Sequence, residues 1–182
     1  MRPFSIKTLS PATLLRPHPI PSITRNITRT ITSTNSQEPT ITPLKPADFP
    51  EWSRLFTGYL EFYKTSIPSE QYPKTFARLL DPENELYGLV LRENESKLLG
   101  IAHYFPHMTP WGEGKIMLFN DLFVDPAVRG GGYGRKLIQA VAADSKKKGC
   151  FRMQWTTQNG NPARKLYDEL ATQEFVQYRM AL

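Results

Sequence analysis

One segment limits what this chain can become more than any other: Val124-Asp125-Pro126-Ala127-Val128-Arg129-Gly130-Gly131-Gly132-Tyr133-Gly134-Arg135-Lys136-Leu137. The apolar run leading into it, residues 115–124, reads as a strand, and Leu137, Ile138, Val141 and Ala142 recur at helical spacing behind it. The chain must therefore pass from a strand through a glycine-rich loop straight into a helix. The first turn of a helix carries N–H groups with no partner inside the helix, and the helix dipole adds positive potential there. Glycines remove the Cβ atoms that would hold a phosphate off the backbone. Arg129, Arg135 and Lys136 bring mobile positive charge to the same place.

Three phosphate-binding patterns compete for this loop. The dinucleotide fingerprint G-x-G-x-x-G, started at Gly130, ends on Arg135 where a glycine is needed. A P-loop needs Gly-Lys-Ser/Thr, but Lys136 stands between Arg135 and Leu137. The third pattern, Arg/Gln-x-x-Gly-x-Gly/Ala, is met in full by Arg129, Gly132 and Gly134. Taken alone, these residues also suit a tight glycine turn with no ligand.

The rest of the chain supplies the surroundings of that loop. Residues 40–44 read as a short strand and 46–65 as a helix, in which Trp52, Leu55/Phe56, Tyr59/Leu60 and Phe62/Tyr63 recur every three to four positions. A second helix is expected over 69–80, ending before Asp81-Pro82. Strands follow at 86–92, 98–105 and 115–124. The loop helix spans 132–148, with Gly149 as its stop. Then come a strand at 151–157, a helix opened by Asn161-Pro162 and reaching 172, and a closing strand at 174–182. The order β-α-α-β-β-β-α-β-α-β predicts an α/β domain with a mixed sheet.

Residues 1–37 differ from everything after them. They hold five prolines, twelve Ser or Thr, five basic residues and no acid, the composition of a mitochondrial transit peptide. A disordered basic leader that is simply retained has the same composition, so the expected location is mitochondrial or else cytoplasmic or nuclear. The net charge is +6; without the leader's five cations, 38–182 is left at about +1. A nucleic-acid partner wants its positive charge on the folded domain, so this distribution speaks against one. No apolar run approaches the ~18 residues of a membrane span. Cys150 is the only cysteine, which excludes intramolecular disulfides and a multi-cysteine zinc site. His18, His103 and His107 form no metal-ligand pattern and read as packing or surface residues; no metal is expected.

The glycine loop behind Asp121-Leu122-Phe123-Val124-Asp125-Pro126 resembles motif A of the GNAT N-acetyltransferase superfamily. Residues 97–105, Pro110-Trp111 and 115–124 are similar to the corresponding stretch of spermidine/spermine acetyltransferases, and residues 163–168 to the family's fourth-helix motif. Trp52 with residues 59–63 resembles the fungal histone and D-amino-acid acetyltransferase branch. The resemblance covers about 40–182 and implies the GNAT fold: a mostly antiparallel central sheet flanked by helices, with a V-shaped splay between its fourth and fifth strands.

It also implies chemistry: transfer of an acetyl group from acetyl-CoA to a primary amine of a small amine, amino acid, polyamine or lysine side chain, by direct attack in a ternary complex. The backbone of Leu122, Phe123 and Val124 would pair with the cofactor's pantetheine arm. Arg129, Gly130, Gly131, Gly132, Tyr133, Gly134 and Arg135 would surround the pyrophosphate. An asparagine near the fourth helix would also touch the cofactor; here Gly160 holds its place, flanked by Asn159 and Asn161, with Asn161 the nearer candidate. Tyr167 matches the family's general acid, and the Val124 N–H is a candidate oxyanion donor.

Spermidine/spermine acetyltransferases carry Glu-Asp at the bend of the fourth strand, where this chain has Asn120-Asp121. That polar pair interrupts an apolar run, as at a bulge facing a cleft. Asp121 either anchors the substrate ammonium and takes its proton, or caps local backbone groups. Trp52, Tyr59, Tyr63, Tyr104 and Trp111 are the aromatic candidates for holding a cationic amine. The Asn120 departure leaves room for a catalytically weak acyl-CoA sensor, and the basic pI for a chromatin-associated adaptor. A homodimer through the closing strand is open.

Overall fold

Trp52, Leu55, Phe56 and Leu60 are the buried stripe of helix α1 (Phe49–Phe62), which shows why the period seen in the sequence had to find a sheet to lie on. The computed structural model describes residues 38–182; the leader expected over 1–37 lies outside them. Strands β1 (Thr40–Pro43), β2 (Tyr87–Asn94), β3 (Lys97–His107) and β4 (Lys115–Val124) pair antiparallel in that order. Strand β5 (Cys150–Gln154) joins the other edge of β4 in parallel, after a crossover through α3 (Tyr133–Lys147).

Each face of the sheet has its own core. On one, α1 and α2 (Gln71–Leu80) pack Trp52, Leu55, Phe56, Phe76 and Leu79 against Val90, Leu98, Ile101 and Phe123. On the other, Leu137, Ile138 and Val141 of α3 pack against Leu91, Leu99, Ala102, Tyr104, Met117 and Phe119. The short helix α4 (Arg164–Leu170) leans on that second core through Leu166, Tyr167 and Leu170. Arg54 fixes α1 to the end of the sheet, donating to Asp125 Oδ2 at 2.8 Å and to Leu98 O at 3.0 Å.

Three expectations change. The helix expected over 46–65 is split: Pro46–Asp48 form a single 3-10 turn, and α1 runs from Phe49 to Phe62. The strand expected over 151–157 stops at Gln154, where β4 ceases to be its partner. The closing strand expected over 174–182 does not form. Its apolar alternation is real, but the segment pairs neither with the outer edge of β5 nor with any other described strand, so Phe175, Val176, Tyr178 and Met180 stand exposed.

A buried ion pair ties the start of α1 to β2. Arg92 donates from Nη1 and Nη2 to the two Asp48 oxygens at 2.9 and 2.7 Å, and both side chains are almost fully enclosed. Burial alone would push the Asp48 carboxyl up. The Arg92 hydrogen bonds, the Lys45 N–H and the guanidinium charge outweigh it and hold Asp48 below its ordinary 3.8. Arg92→Met leaves that carboxylate buried without its partner and is expected to lose about 3–5 kcal/mol in urea unfolding at pH 7. A carboxyl with a depressed folded value stabilises above its unfolded value and loses that contribution as pH falls through the folded one. The deficit of Arg92→Met against the wild type therefore narrows as the pH is taken below about 3.8.

Candidate active site

β4 changes its surroundings part-way along. It stays paired with β3 to its end, but His103 lies opposite Asp121 and Tyr104 opposite Phe119, so Asn120 is an extra residue bulged out of the ladder. β5 follows β4 only as far as Leu118, which lies opposite Gln154. From Phe119 to Val124 the second edge of β4 faces no strand, and this gap is the splay. The Asp125 N–H donates to Leu99 O at 2.8 Å, marking residues 99 and 125 as a hydrogen-bonded pair. Alternation makes Gly100/Val124 and Ala102/Leu122 the non-bonded pairs, so the main-chain groups of Leu122 and Val124 point into the splay. One of these groups is occupied: Arg129 Nε donates to Val124 O at 3.1 Å, with its guanidinium 5.5 Å from the centre of the Phe123 ring.

The bulge also decides where side chains face. Met117, Phe119, Leu122 and Val124 all lie on the α3 side, whereas Phe123 belongs to the α1 core. Asp121 shares the Phe123 face and points toward α1. There its Oδ2 lies 2.9 Å from His103 Nδ1, its Oδ1 accepts from Asn120 Nδ2 at 2.8 Å, and Trp52 Nε1 donates to His103 Nε2 at 2.8 Å.

Tyr59 lies beside this carboxylate, and Tyr63 and Tyr167 gather around Tyr59. Tyr59 and Tyr63, one turn apart on α1, meet edge to face at 5.1 Å. Burial, then the Asp121 carboxylate, then Tyr63 and Tyr167 hold the Tyr59 phenol above its ordinary value. Tyr167, carried by α4, is pushed up to about 12 by burial and by Tyr63. Its ring packs edge-on at 5.6 Å against Trp155, which packs on Phe119 at 6.2 Å. An open backbone edge, a carboxylate and a buried protonated phenol thus share one cleft. Beside it a cavity of about 450 Å³ opens between α1 and the end of β4, lined in part by Arg54, Glu61, Phe62, Phe123 and Arg129.

At the other end of the splay, Gly130 and Gly132 adopt φ of 87° and 75°, and a Cβ on either would meet nothing within 4 Å. Gly132 caps α3, and the first intrahelical bond is Lys136 N to Gly132 O. The N–H groups of Tyr133, Gly134 and Arg135 precede it without helical acceptors. Two of the three cations expected around this loop are already paired, Arg135 with Glu169 of α4 and Lys136 with Glu38.

Other expected residues lie elsewhere. Trp52 is wholly buried, stacked with Phe56 and tilted against Phe76, and offers no atom to a substrate. Tyr104 is likewise buried, its hydroxyl donating to Asp144 Oδ2 at 2.7 Å beneath α3. Asn161 uses both ends of its amide internally, accepting from Ala163 N at 2.9 Å and donating to Thr157 Oγ1 at 2.7 Å, so it holds the turn before α4, whose own N-cap is Ala163. Trp111 stands 84% exposed on the loop between β3 and β4. Two residues of the site were missed, His103 and Trp155. The only sequence signal for His103 was an imidazole in an otherwise apolar strand; Trp155 gave none.

The profile of the Acetyltransferase (GNAT) family matches residues 52–171, and the chain belongs to that family. It is 35% identical over 130 residues to a D-amino-acid N-acetyltransferase of Saccharomyces cerevisiae, covering 70% of this chain and 81% of the relative. An L-ornithine acetyltransferase of Arabidopsis thaliana is 27% identical over 142 residues, 75% of this chain and 58% of that longer protein. Among solved structures, an aminoglycoside N-acetyltransferase in complex with CoA superposes with a TM-score of 0.66 at 18% identity, covering 79% of this chain and 95% of that one. The fold is that of the GNAT enzymes, and the chain is an N-acetyltransferase.

Gly132 gives a direct check on the loop. Gly132→Ala creates no clash, so its cost is the strain of an L-residue at positive φ, about 1–2 kcal/mol in urea unfolding.

Proposed function

We propose that this enzyme acetylates the primary amine of a small amino acid or diamine, taking the acetyl group from acetyl-CoA in a ternary complex. The observation that carries the reading is that Asp121, on the strand whose second edge is open, is neighboured by Tyr59, which in turn is neighboured by Tyr63 and Tyr167. The splay fits the donor: the main-chain groups of Leu122 and the N–H of Val124 match an amide-bearing arm, and the loop of Arg129 to Gly134 has open glycines and unpaired N–H groups for a pyrophosphate. Its phosphates would compete with Glu169 for Arg135.

Asp121 binds the substrate ammonium and accepts its proton, leaving a lone pair free to attack the thioester carbon. The Val124 N–H meets the carbonyl oxygen as it gains charge. As the carbon–sulfur bond breaks, Tyr167 gives its proton to the departing sulfur; the second proton lost by the nitrogen passes through water to restore the phenol, and the proton held by Asp121 is released to solvent. The products are the acetamide and the free thiol. With its phenol held at about 12, Tyr167 is protonated throughout the neutral range and needs no neighbour to make it an acid. Both signs of charge in the adjoining cavity, Glu61 with Arg54 and Arg129, suit a substrate that itself carries charge beyond its amine. The relatives that act on D-amino acids and on L-ornithine point the same way.

The test is thiol release from acetyl-CoA with D- and L-amino acids, ornithine, polyamines and a lysine peptide. Turnover is expected with the amino acids or ornithine. Tyr167→Phe is expected to lower kcat by roughly 10²–10⁴ while KM for acetyl-CoA stays near the wild-type value. Turnover with the lysine peptide alone, or an unaltered kcat in Tyr167→Phe, would overturn the reading.

A further inference from the structure

His103 is a buried imidazole that the acetyl transfer itself does not use, and its hydrogen bonds fix where its proton sits. An indole N–H can only donate. Trp52 Nε1 lies 2.8 Å from His103 Nε2, so Nε2 is the acceptor and carries no proton. The single proton of the neutral ring is therefore on Nδ1, and it is donated to Asp121 Oδ2 at 2.9 Å. Asn120 Nδ2 donates to the other Asp121 oxygen at 2.8 Å. Two donors from different elements thus set the plane of the carboxylate, and its remaining lone pairs face Tyr59 and the cleft.

We propose that Trp52 and His103 are positioning residues, in which the indole N–H locks the imidazole in its Nδ1–H tautomer and the locked imidazole aims Asp121 at the substrate amine. The lock has a second effect. With Nδ1 already protonated and Nε2 covered, His103 has no site for the proton that Asp121 collects, so that proton leaves only toward the cleft. The burial supports this: Trp52 is 0% and His103 3% exposed, so no water replaces the indole at Nε2. Packing on Phe56 holds the imidazole plane, ring centroids 5.4 Å apart. The ionisable groups around the imidazole are Asp121 on β4, Tyr59 on α1 and Tyr72 on α2, which packs on Trp52 and Phe56; β2 presents only Gly88 opposite it.

The inference rests on Asp121 taking the amine's proton, and the variants separate the two ideas. Glutamine at this position offers one amide N–H to Asp121 and one carbonyl to Trp52, with no tautomer to choose and no charge to gain. His103→Gln should keep kcat/KM within a fewfold of wild type, whereas His103→Leu, which holds Asp121 by nothing, should lose roughly 10². Trp52→Phe uncovers Nε2, so the acidic limb of its pH–rate profile should move to higher pH. In Trp52→Phe/His103→Gln that movement should disappear. Nitrogen NMR of the imidazole in the wild-type protein should show the Nδ1–H form. That readout stands whether or not Asp121 is the base, and equal activity in Asp121→Asn and wild type would refute the base assignment alone. An Nε2–H tautomer, or a loss in His103→Gln as deep as in His103→Leu, would overturn the proposal.

Discussion

Every main-chain group of β4 has to be satisfied, and the strand meets that demand with different partners along its length. Toward β3 the ladder is continuous apart from one extra residue. Toward β5 it is made only by residues 115–118, and beyond them the groups of Leu122 and Val124 wait for something that is not part of the sheet. Leu122 and Val124 are only half-buried, so this edge stays open to water or to an extended guest that brings its own amides. The helices sit where that guest's two ends would lie, α3 with its glycine cap at one and α4 with Tyr167 at the other. The sheet register thus sets the site before any catalytic side chain is considered.

Side-chain electrostatics then work within a site already shaped by backbone. Tyr59 and Tyr167 are phenols whose ionisation burial opposes, and the carboxylate of Asp121 adds to that opposition at Tyr59. On the rim, Arg54 is bound to Glu51, Asp125 and the Leu98 carbonyl, which makes it a clamp on α1 rather than a mobile cation. Arg129 is less committed, with Nε on the Val124 carbonyl and its face on Phe123. Of the two, Arg129 is the one placed to turn toward a ligand without loosening the sheet.

What the sequence disclosed was whatever depends on neighbours along the chain. The strand–glycine–helix passage, the apolar stripe of α1 and the polar interruption at Asn120-Asp121 are local patterns, and each has a structural counterpart. What it hid depends on pairs far apart. His103 reads as an isolated imidazole until Trp52, 51 positions before it, and Asp121, 18 after, are brought to its two nitrogens. Trp155 becomes the support of Tyr167 only because β5 ends one residue earlier. The terminal stretch misled for the converse reason: alternation is a property of the chain, whereas a strand is a property of two edges. Trp52 resembled a substrate aromatic because composition does not distinguish an indole in the core from one in a cleft.

The bulge at Asn120 has one more implication, which concerns counting. β4 contains ten residues, yet β3 pairs with eight, Ile116 to Phe119 and Asp121 to Val124, because Lys115 lies beyond the ladder and Asn120 is folded out of it. Faces in a strand follow parity, so a residue added or lost elsewhere in β4 would exchange the two cores for everything downstream, sending Phe123 to α3 and Leu122 to α1. At Asn120 alone the arithmetic is forgiving: the strand can lose that residue and still pair His103 with Asp121 and Tyr104 with Phe119. Asn120 is therefore surplus to the register of the sheet, and what it contributes is curvature and a hand on the carboxylate beside it. Along this strand it is the place where one residue can be removed without exchanging the two faces downstream.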